Sequence, residues 1–227
     1  MDYIRLNITA EGQTEEQFAK GELSKLLVNS NIVVDVRRVK TSRDKRKIYR
    51  GGLLDYQKAK SDILQWLKED NKEGVFFTTM FDLYALPNDF PQFEKSEKII
   101  DPYERVEFLE TALESDINDR RFIAYIQLHE FEALVLANPQ TLELEYFDRK
   151  AEIEHLYSIL KQYHNNSELI DSGRTTAPSK RILRLIPEYD KVFVGSLLAG
   201  FDIPLLRTQC KHFNDWLIKI EKLNPNK

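Results

Sequence analysis

Two hydrophobic periods alternate along this chain, and that alternation constrains the fold more than any other feature. Residues 3–9 set Ile4, Leu6 and Ile8 against Arg5, Asn7 and Thr9, the period of two expected of a strand with a polar face. Ala10-Glu11-Gly12-Gln13-Thr14 breaks it. Thr14 reads as an N-cap with Gln17 completing a capping box, and Ala19, Leu23, Leu26 and Leu27 then share one helical face. Residues 32–39, rich in β-branched side chains, predict a second strand. A helix is expected over 54–68 with Tyr56, Ala59, Ile63, Trp66 and Leu67 inward. Residues 75–82 form a nearly continuous apolar run, as suits a central strand covered on both faces. An irregular stretch holding Pro87, Pro91 and Pro102 precedes a helix over 103–119, with Val106, Leu109, Leu113 and Ile117 at helical spacing. A further strand is predicted over 122–128. Helical periodicity returns at Ile153, Leu156, Tyr157, Leu160 and Tyr163. Residues 164–179 read as a polar loop, and short helices are expected near Pro178, over 189–199 and over 212–223.

Strands separated by helices pair in parallel and carry helices on both faces. The expected class is therefore α/β: a mostly parallel sheet flanked by helices, with a helical C-terminal portion. The boundary falls near residue 140, with 141–227 packed on 1–140 as one compact unit. A chain of 227 residues can bury such a core without staples. The single cysteine, Cys210, excludes an internal disulfide and a Cys-based zinc cage, and reads as a small buried hydrophobe. No basic-then-apolar leader opens the chain, and no apolar run approaches the roughly 20 residues of a membrane helix. A cytoplasmic protein with no membrane contact is expected. With 33 Lys and Arg against 37 Asp and Glu, the net charge of -4 excludes a globally basic nucleic-acid binder, though not a local basic patch.

In open parallel sheets ligands bind beyond the carboxyl ends of the strands. Glu11, Asp82 and His129-Glu130 all stand just past predicted strand ends, with Glu15 and Glu132 close by in sequence. Converging carboxylates suit a hard divalent cation, Mg²⁺ or Mn²⁺, which prefers oxygen ligands and can hold a phosphodiester and activate water. The same acids also read as ordinary solvated surface groups. Glu11-Gly12-Gln13-Thr14-Glu15 is the sharper signal: Gly12 is expected to allow a tight turn with positive φ, and the helix amino end behind it favours anions such as phosphate. Its plain reading is a βα turn with acids in the first helical turn.

The basic run Arg37, Arg38, Lys40, Arg43, Lys45, Arg46, Lys47 and Arg50 polarises an otherwise acidic chain, and supplies the kind of backbone affinity for nucleic acid that falls with salt. Tyr49 is placed to stack on a base. The competing reading is a solvated loop. Lys180, at an expected helix start, is a candidate to offset developing phosphate charge, or else a surface lysine. His129, beside acids at a strand end, reads as a metal ligand, a proton carrier or a phosphate contact, and equally as a structural histidine. His155, His164 and His212 receive no role.

Several of these stretches together resemble a known family. They are Glu11-Gly12-Gln13-Thr14-Glu15, residues 78–84 (Thr-Thr-Met-Phe-Asp-Leu-Tyr) with 86–91 (Leu-Pro-Asn-Asp-Phe-Pro), Arg121-Phe122, residues 125–134 (Tyr-Ile-Gln-Leu-His-Glu-Phe-Glu-Ala-Leu), residues 178–182 (Pro-Ser-Lys-Arg-Ile), and His212-Phe213 with Trp216-Leu217. They resemble the bacterial domain-of-unknown-function family numbered 4276, over nearly the whole chain. That family is regarded as Toprim-like, similar in motif order to the nuclease part of the overcoming-lysogenization-defect proteins, which cut DNA with divalent metal. The resemblance makes Glu11 the catalytic or metal-binding glutamate, Glu15 a second ligand of that motif, and Asp82 the leading residue of the Asp-x-Asp motif. The second Asp position is Tyr84, which speaks against topoisomerase or primase chemistry and moves the missing ligand role to Glu130 or Glu132. Lys180 resembles the late lysine of the related nucleases.

The reading that follows is a metal-dependent nuclease acting on DNA or RNA. Glu11, Glu15, Asp82, Glu130 and Glu132 are its candidate metal ligands, with Glu11, Asp82 and Lys180 catalytic, and the 37–50 run holds the nucleic-acid backbone. The resemblance also implies a role in phage defence beside a partner ATPase, since the chain has no Walker A signature of its own. The rival reading is a non-catalytic Toprim-like module that binds nucleic acid or regulates that ATPase. A phosphatase or nucleotidyl-transfer enzyme for small substrates fits less well, because a small substrate does not need so extended a cationic surface.

Overall fold

The structure, a computed structural model, describes residues 3–39, 53, 55–170 and 176–224. Its centre is three long parallel strands, β1 (Ile4–Ala10), β2 (Ile32–Arg38) and β3 (Val75–Asp82). β1 lies in the middle, pairing Ile4 with Ile32 through Ala10 with Arg38 on one side, and Arg5 with Val75 through Ala10 with Met80 on the other. The short strands β4 (Phe122–Ile123) and β5 (Ile126–Gln127) both pair in parallel with β3. The order is β2-β1-β3-β4, and the expected mostly parallel sheet flanked by helices is what the chain forms.

The single strand expected over 122–128 is interrupted. Its register on β3 never slips: Phe77 faces Phe122, and Phe81 faces Ile126. At the gap the Thr79 hydroxyl replaces the ladder, donating to the Tyr125 carbonyl at 2.9 Å and accepting from the Tyr125 N–H at 3.0 Å. The outward N–H groups of Ala124 and Ile126 donate instead to Glu114 and Glu110, one turn apart on a helix, at 3.0 and 2.8 Å. The sheet edge is thereby satisfied without a further strand.

Between β1 and β2 the chain forms α1 (Gln13–Phe18), a π-helical turn (Ala19–Leu23) and α2 (Ser24–Leu27). Asp55 caps α3 (Tyr56–Glu69) through the Lys58 N–H. Arg121 closes its other end, donating to the carbonyls of Leu67 and Asp70 at 3.0 Å each. The stretch with the prolines holds α4 (Phe93–Ser96). Asp101 caps α5 (Pro102–Ile117), which ends two residues before the expected end, with Asn118 in the left-handed region just after it. Then follow α6 (Glu132–Val135), α7 (Lys150–Gln162), α8 (Pro178–Leu185), a second π-helical turn (Lys191–Gly195), α9 (Ser196–Ala199), α10 (Ile203–Gln209) and α11 (Lys211–Glu221).

Each face of the sheet carries its own core. Ile4, Leu6 and Ile8 of β1 and Met80 of β3 pack with Phe18 and Leu23 and with Leu156, Ile182, Phe213, Trp216 and Ile220 from the C-terminal helices. Val75, Phe77 and Phe81 pack against Ile63 and Leu67 of α3 and Leu109 and Leu113 of α5. The polar face expected of β1 is therefore buried too: Asn7 is 0% exposed, and its amide donates to Asp70 at 3.3 Å. Among the described residues no helix is long and apolar enough to cross a membrane.

Candidate functional site

Parallel pairing carries the ends of β1 and β3 to the same rim. Ala10 faces Met80, so the next residue, Glu11, reaches the end of β3, where its Oε2 accepts the Asp82 N–H at 2.8 Å. Glu11 keeps part of its surface in solvent, whereas Asp82 is 7% exposed. Asp82 Oδ1 has no hydrogen-bond partner among the described residues.

The turn after Glu11 differs from expectation. The helix begins at Gln13, so the N-cap is Gly12 and not Thr14, and Gly12 is extended at φ -136° rather than positive. Glu15, and not Gln17, closes the turn: its Oε2 accepts the Gly12 N–H at 2.9 Å. A Cβ on Gly12 would stand 3.0 Å from that carboxylate oxygen, a tight contact that Glu15 would have to yield to by a few tenths of an ångström. Glu15 is thus folded back over the start of α1, buried beside Glu11.

Glu132 begins α6 and is fully inaccessible. Its partner is Lys191, whose Nζ lies 2.9 Å from Glu132 Oε2 while the lysine side chain stays 40% exposed. Lys191 opens the second π-helical turn, a helical irregularity frequent at functional sites. Asp190 caps that turn through the N–H groups of Val192 and Phe193 at 3.0 and 2.9 Å. Gly195 ends it against Tyr189, where a Cβ would fall 2.2 Å from the phenol oxygen.

These carboxyl groups act on one another. Burial, and then the charge of Glu15, push Glu11 up to about 8, against the pull of the Asp82 N–H and of Lys191. Burial together with Glu11 and Glu15 raises Asp82 well above the usual carboxylate range. Burial raises Glu15 despite its hydrogen bond from Gly12. Burial pushes Glu132 up to about 7, although Lys191 opposes it. For Lys191, burial alone would lower the ammonium, but Glu132, Asp82 and Glu130 outweigh it and hold it above its ordinary value. Four acids from three segments therefore share one electrostatic neighbourhood, with a lysine among them.

The remaining candidates are distributed differently. Glu130 caps α8: one oxygen accepts the Ser179 N–H, and the other accepts the Ser179 hydroxyl at 3.0 Å. Lys180, the next residue, is exposed and forms no ion pair with the acids among the described residues. His129 is buried with φ 62°, uncommon for a side chain with a Cβ. Its carbonyl accepts the Tyr84 N–H at 2.9 Å, and the two rings lie 5.2 Å apart. From the basic run, Arg37 pairs with Glu69 at 2.6 Å and covers the Trp66 ring, and Arg38 pairs with Glu16 at 2.7 Å. Lys40, Arg43, Lys45, Arg46, Lys47 and Arg50, with Tyr49, lie outside the described residues.

Lys191 is the site residue that sequence reasoning missed. Nothing in its neighbourhood distinguishes it from the 33 Lys and Arg of the chain, and only the fold brings it to the acids. The donor set is all carboxylate, the chemistry of a hard divalent cation, and Asp82 Oδ1 is an oxygen left without a donor. Among the described residues, however, no three His, Cys, Asp or Glu side chains stand together as one metal would require.

The family model described as a domain of unknown function, DUF4276, matches residues 10–221. The chain belongs to that family. The match runs from the end of β1 to the end of α11, so in this DUF4276 protein the acids and Lys191 fall inside the family region, while Ile4, Leu6 and Ile8 of the first core precede it. No curated protein and no solved structure is significantly similar to the chain.

Proposed function

We propose that this DUF4276 protein is a divalent-metal-dependent phosphodiesterase of Toprim-like character, cutting DNA or RNA, in the cytoplasm and in phage defence. The observation that carries the reading is the gathering of Glu11, Glu15, Asp82 and Glu132 at the rim where β1 and β3 end, all four raised by burial, and Glu11 and Asp82 also by neighbouring acids of the set. Such a cluster is costly on its own and is relieved by a proton or a cation. A bound Mg²⁺ or Mn²⁺ would supply Lewis acidity at the phosphate and a more acidic water. Glu11 and Asp82 are the residues to hold it, with Glu15 and Glu132 closing the set. Glu130 works indirectly, fixing the start of α8 through Ser179 and so setting the position of Lys180, which is assigned to the substrate phosphate. His129 and Tyr84, joined by a backbone hydrogen bond and a ring contact, are kept as further candidates beside the end of β3. The 37–50 run is assigned to the nucleic-acid backbone, and an ATPase encoded nearby is the expected partner.

Glu11→Gln should abolish Mn²⁺-dependent cleavage of DNA and RNA while the circular-dichroism spectrum and unfolding midpoint stay close to the parent's. Cleavage undiminished in that variant overturns the assignment. One observation favours the alternative of a non-catalytic module that binds nucleic acid or regulates the ATPase: a lysine already neutralises part of the cluster. A parent protein that binds no Mn²⁺ yet retains DNA or RNA would decide for that module.

A further inference from the structure

We propose that α9, with the turns on either side of it, is the contact by which two copies of this chain pair about a twofold axis. Of residues 191–201, only positions 193, 197 and 201 are exposed, and all three are large and apolar: Phe193 at 66%, Leu197 at 49% and Phe201 at 62%. A helical face turned to water normally carries polar side chains, and a contiguous apolar stripe marks a contact surface. Val194, Leu198 and Ala199 on the opposite face are already buried in the core that holds β1, so the segment cannot turn its stripe inward.

The stripe is palindromic. Phe, Leu and Phe stand four residues apart, so the pattern reads the same in both directions from Leu197. A twofold axis at Leu197 therefore sets Leu197 against Leu197, and Phe193 of one protomer against Phe201 of its partner, twice over. Each protomer also offers a seat. A groove of about 160 Å³ lies between the stripe and the helical wall that begins with α1, lined by Gln17, Glu22, Phe193, Ser196 and Leu197. Space of that order holds one aromatic ring, the size of the Phe201 side chain that the axis brings to Phe193. The seat is preformed, because a Cβ on Gly200 would fall 2.1 Å from Glu22 Cβ, so the two walls already touch at that end.

Charge chooses the occupant. The α1-side wall carries Lys20 paired with Glu16 and Lys25 paired with Glu22, each at 2.7 Å. A nucleic acid calls for cations free of counter-charges. A border holding both signs can instead exchange partners across a twofold, each lysine meeting a glutamate of the other copy. The pairing does not depend on what the acids at the strand ends bind.

The test is the mass of the full chain in solution, by sedimentation and light scattering at micromolar concentration. The parent should run at twice the chain mass. Leu197→Glu places like charges face to face on the axis and should weaken pairing roughly a hundredfold or more, leaving a monomer with the parent's circular-dichroism spectrum. Leu197→Cys should link to its own copy under mild oxidation, whereas the parent, whose Cys210 is buried, should not. A monomeric parent overturns the proposal. So does a dimer that Leu197→Glu leaves intact, and so does a Leu197→Cys protein that fails to cross-link. The cross-link introduces no charge, so a misfolded Leu197→Glu leaves the decision to Leu197→Cys. A monomeric parent that holds a labelled oligothymidylate, and releases it in Phe193→Ala, would give the stripe to nucleic acid instead.

Discussion

At the scale of single residues, the rim sets stability against binding. Asp82 is 93% withdrawn from solvent at 7% exposure, with one carboxylate oxygen unpaired and the charges of Glu11 and Glu15 pressing on it. An amide in its place removes that repulsion and can donate to a neighbouring carboxylate. Asp82→Asn should therefore melt a few degrees above the parent in chelator, the change that about 1 kcal/mol brings to a chain of this length, while losing Mn²⁺ binding. A lower melting temperature in chelator would mean that the cluster is a structural asset rather than a site held under strain. Glu11 and Asp82 were legible beforehand because a parallel sheet gathers strand ends at one rim, and the sequence marks those ends clearly. Lys191 was not legible, because a lysine on a short helix announces nothing until the fold delivers it to Glu132. The Gly12 turn was half legible: the sequence marks a glycine turn before a helix, but whether φ is positive depends on where Glu15 folds back.

At the scale of elements, the docking of α11 rests on acids that the periodicity of the chain does not reveal. Glu168 is 0% exposed and caps α11, accepting the N–H groups of His212 and Phe213 at 2.9 Å each. Glu110 on α5 accepts the Ile126 N–H at 2.8 Å and meets His212 Nε2 at 2.9 Å, so one carboxylate ties α5, β5 and α11 together. Burial alone would lower the His212 pKa, but the hydrogen bond and charge of Glu110, with Glu168 behind, raise it above its ordinary value. A histidine raised in the folded state contributes stability that is full below its unfolded value near 6.5 and is lost as pH climbs through the folded one. His212→Gln should thus destabilise the protein most in mildly acid solution and progressively less as pH rises. The raised carboxyls of Glu11 and Glu132 tilt the parent's own curve the same way, so the quantity to read is the parent-minus-variant difference in chemical unfolding. A difference independent of pH would show that His212 stays neutral in its pocket. The interrupted β4 and β5 carry the same lesson. A seven-residue apolar run reads as one strand, and only the approach of Thr79, Glu110 and Glu114 shows why its middle needs no ladder.

At the scale of the molecule, the question is whether the helical portion is an addition to the α/β core or part of it. The sequence suggests a boundary near residue 140, because the alternation of strands and helices stops there. The packing argues for shared responsibility. Leu6 and Ile8 of the central strand are fully buried in the same cluster as Leu156, Ile182, Phe213, Trp216 and Ile220. Trp216 also reaches the sheet itself, its Nε1 donating to the Thr78 hydroxyl at 3.1 Å while its ring stacks on Tyr125 at 4.5 Å. Burying each such side chain is worth about 1.5–3 kcal/mol. Losing even five of them removes about as much as the 5–15 kcal/mol by which whole domains are stable. Lys191 leaves with the same segment, so the acids lose their counter-cation as well as their cover. A fragment of residues 1–140 should therefore show no cooperative thermal transition and should bind hydrophobic dye, whereas the full chain should unfold in a single step seen alike by far- and near-ultraviolet circular dichroism. A sharp melt in the fragment would make the C-terminal helices a separable cover. The acid rim would then have to be stable without Lys191.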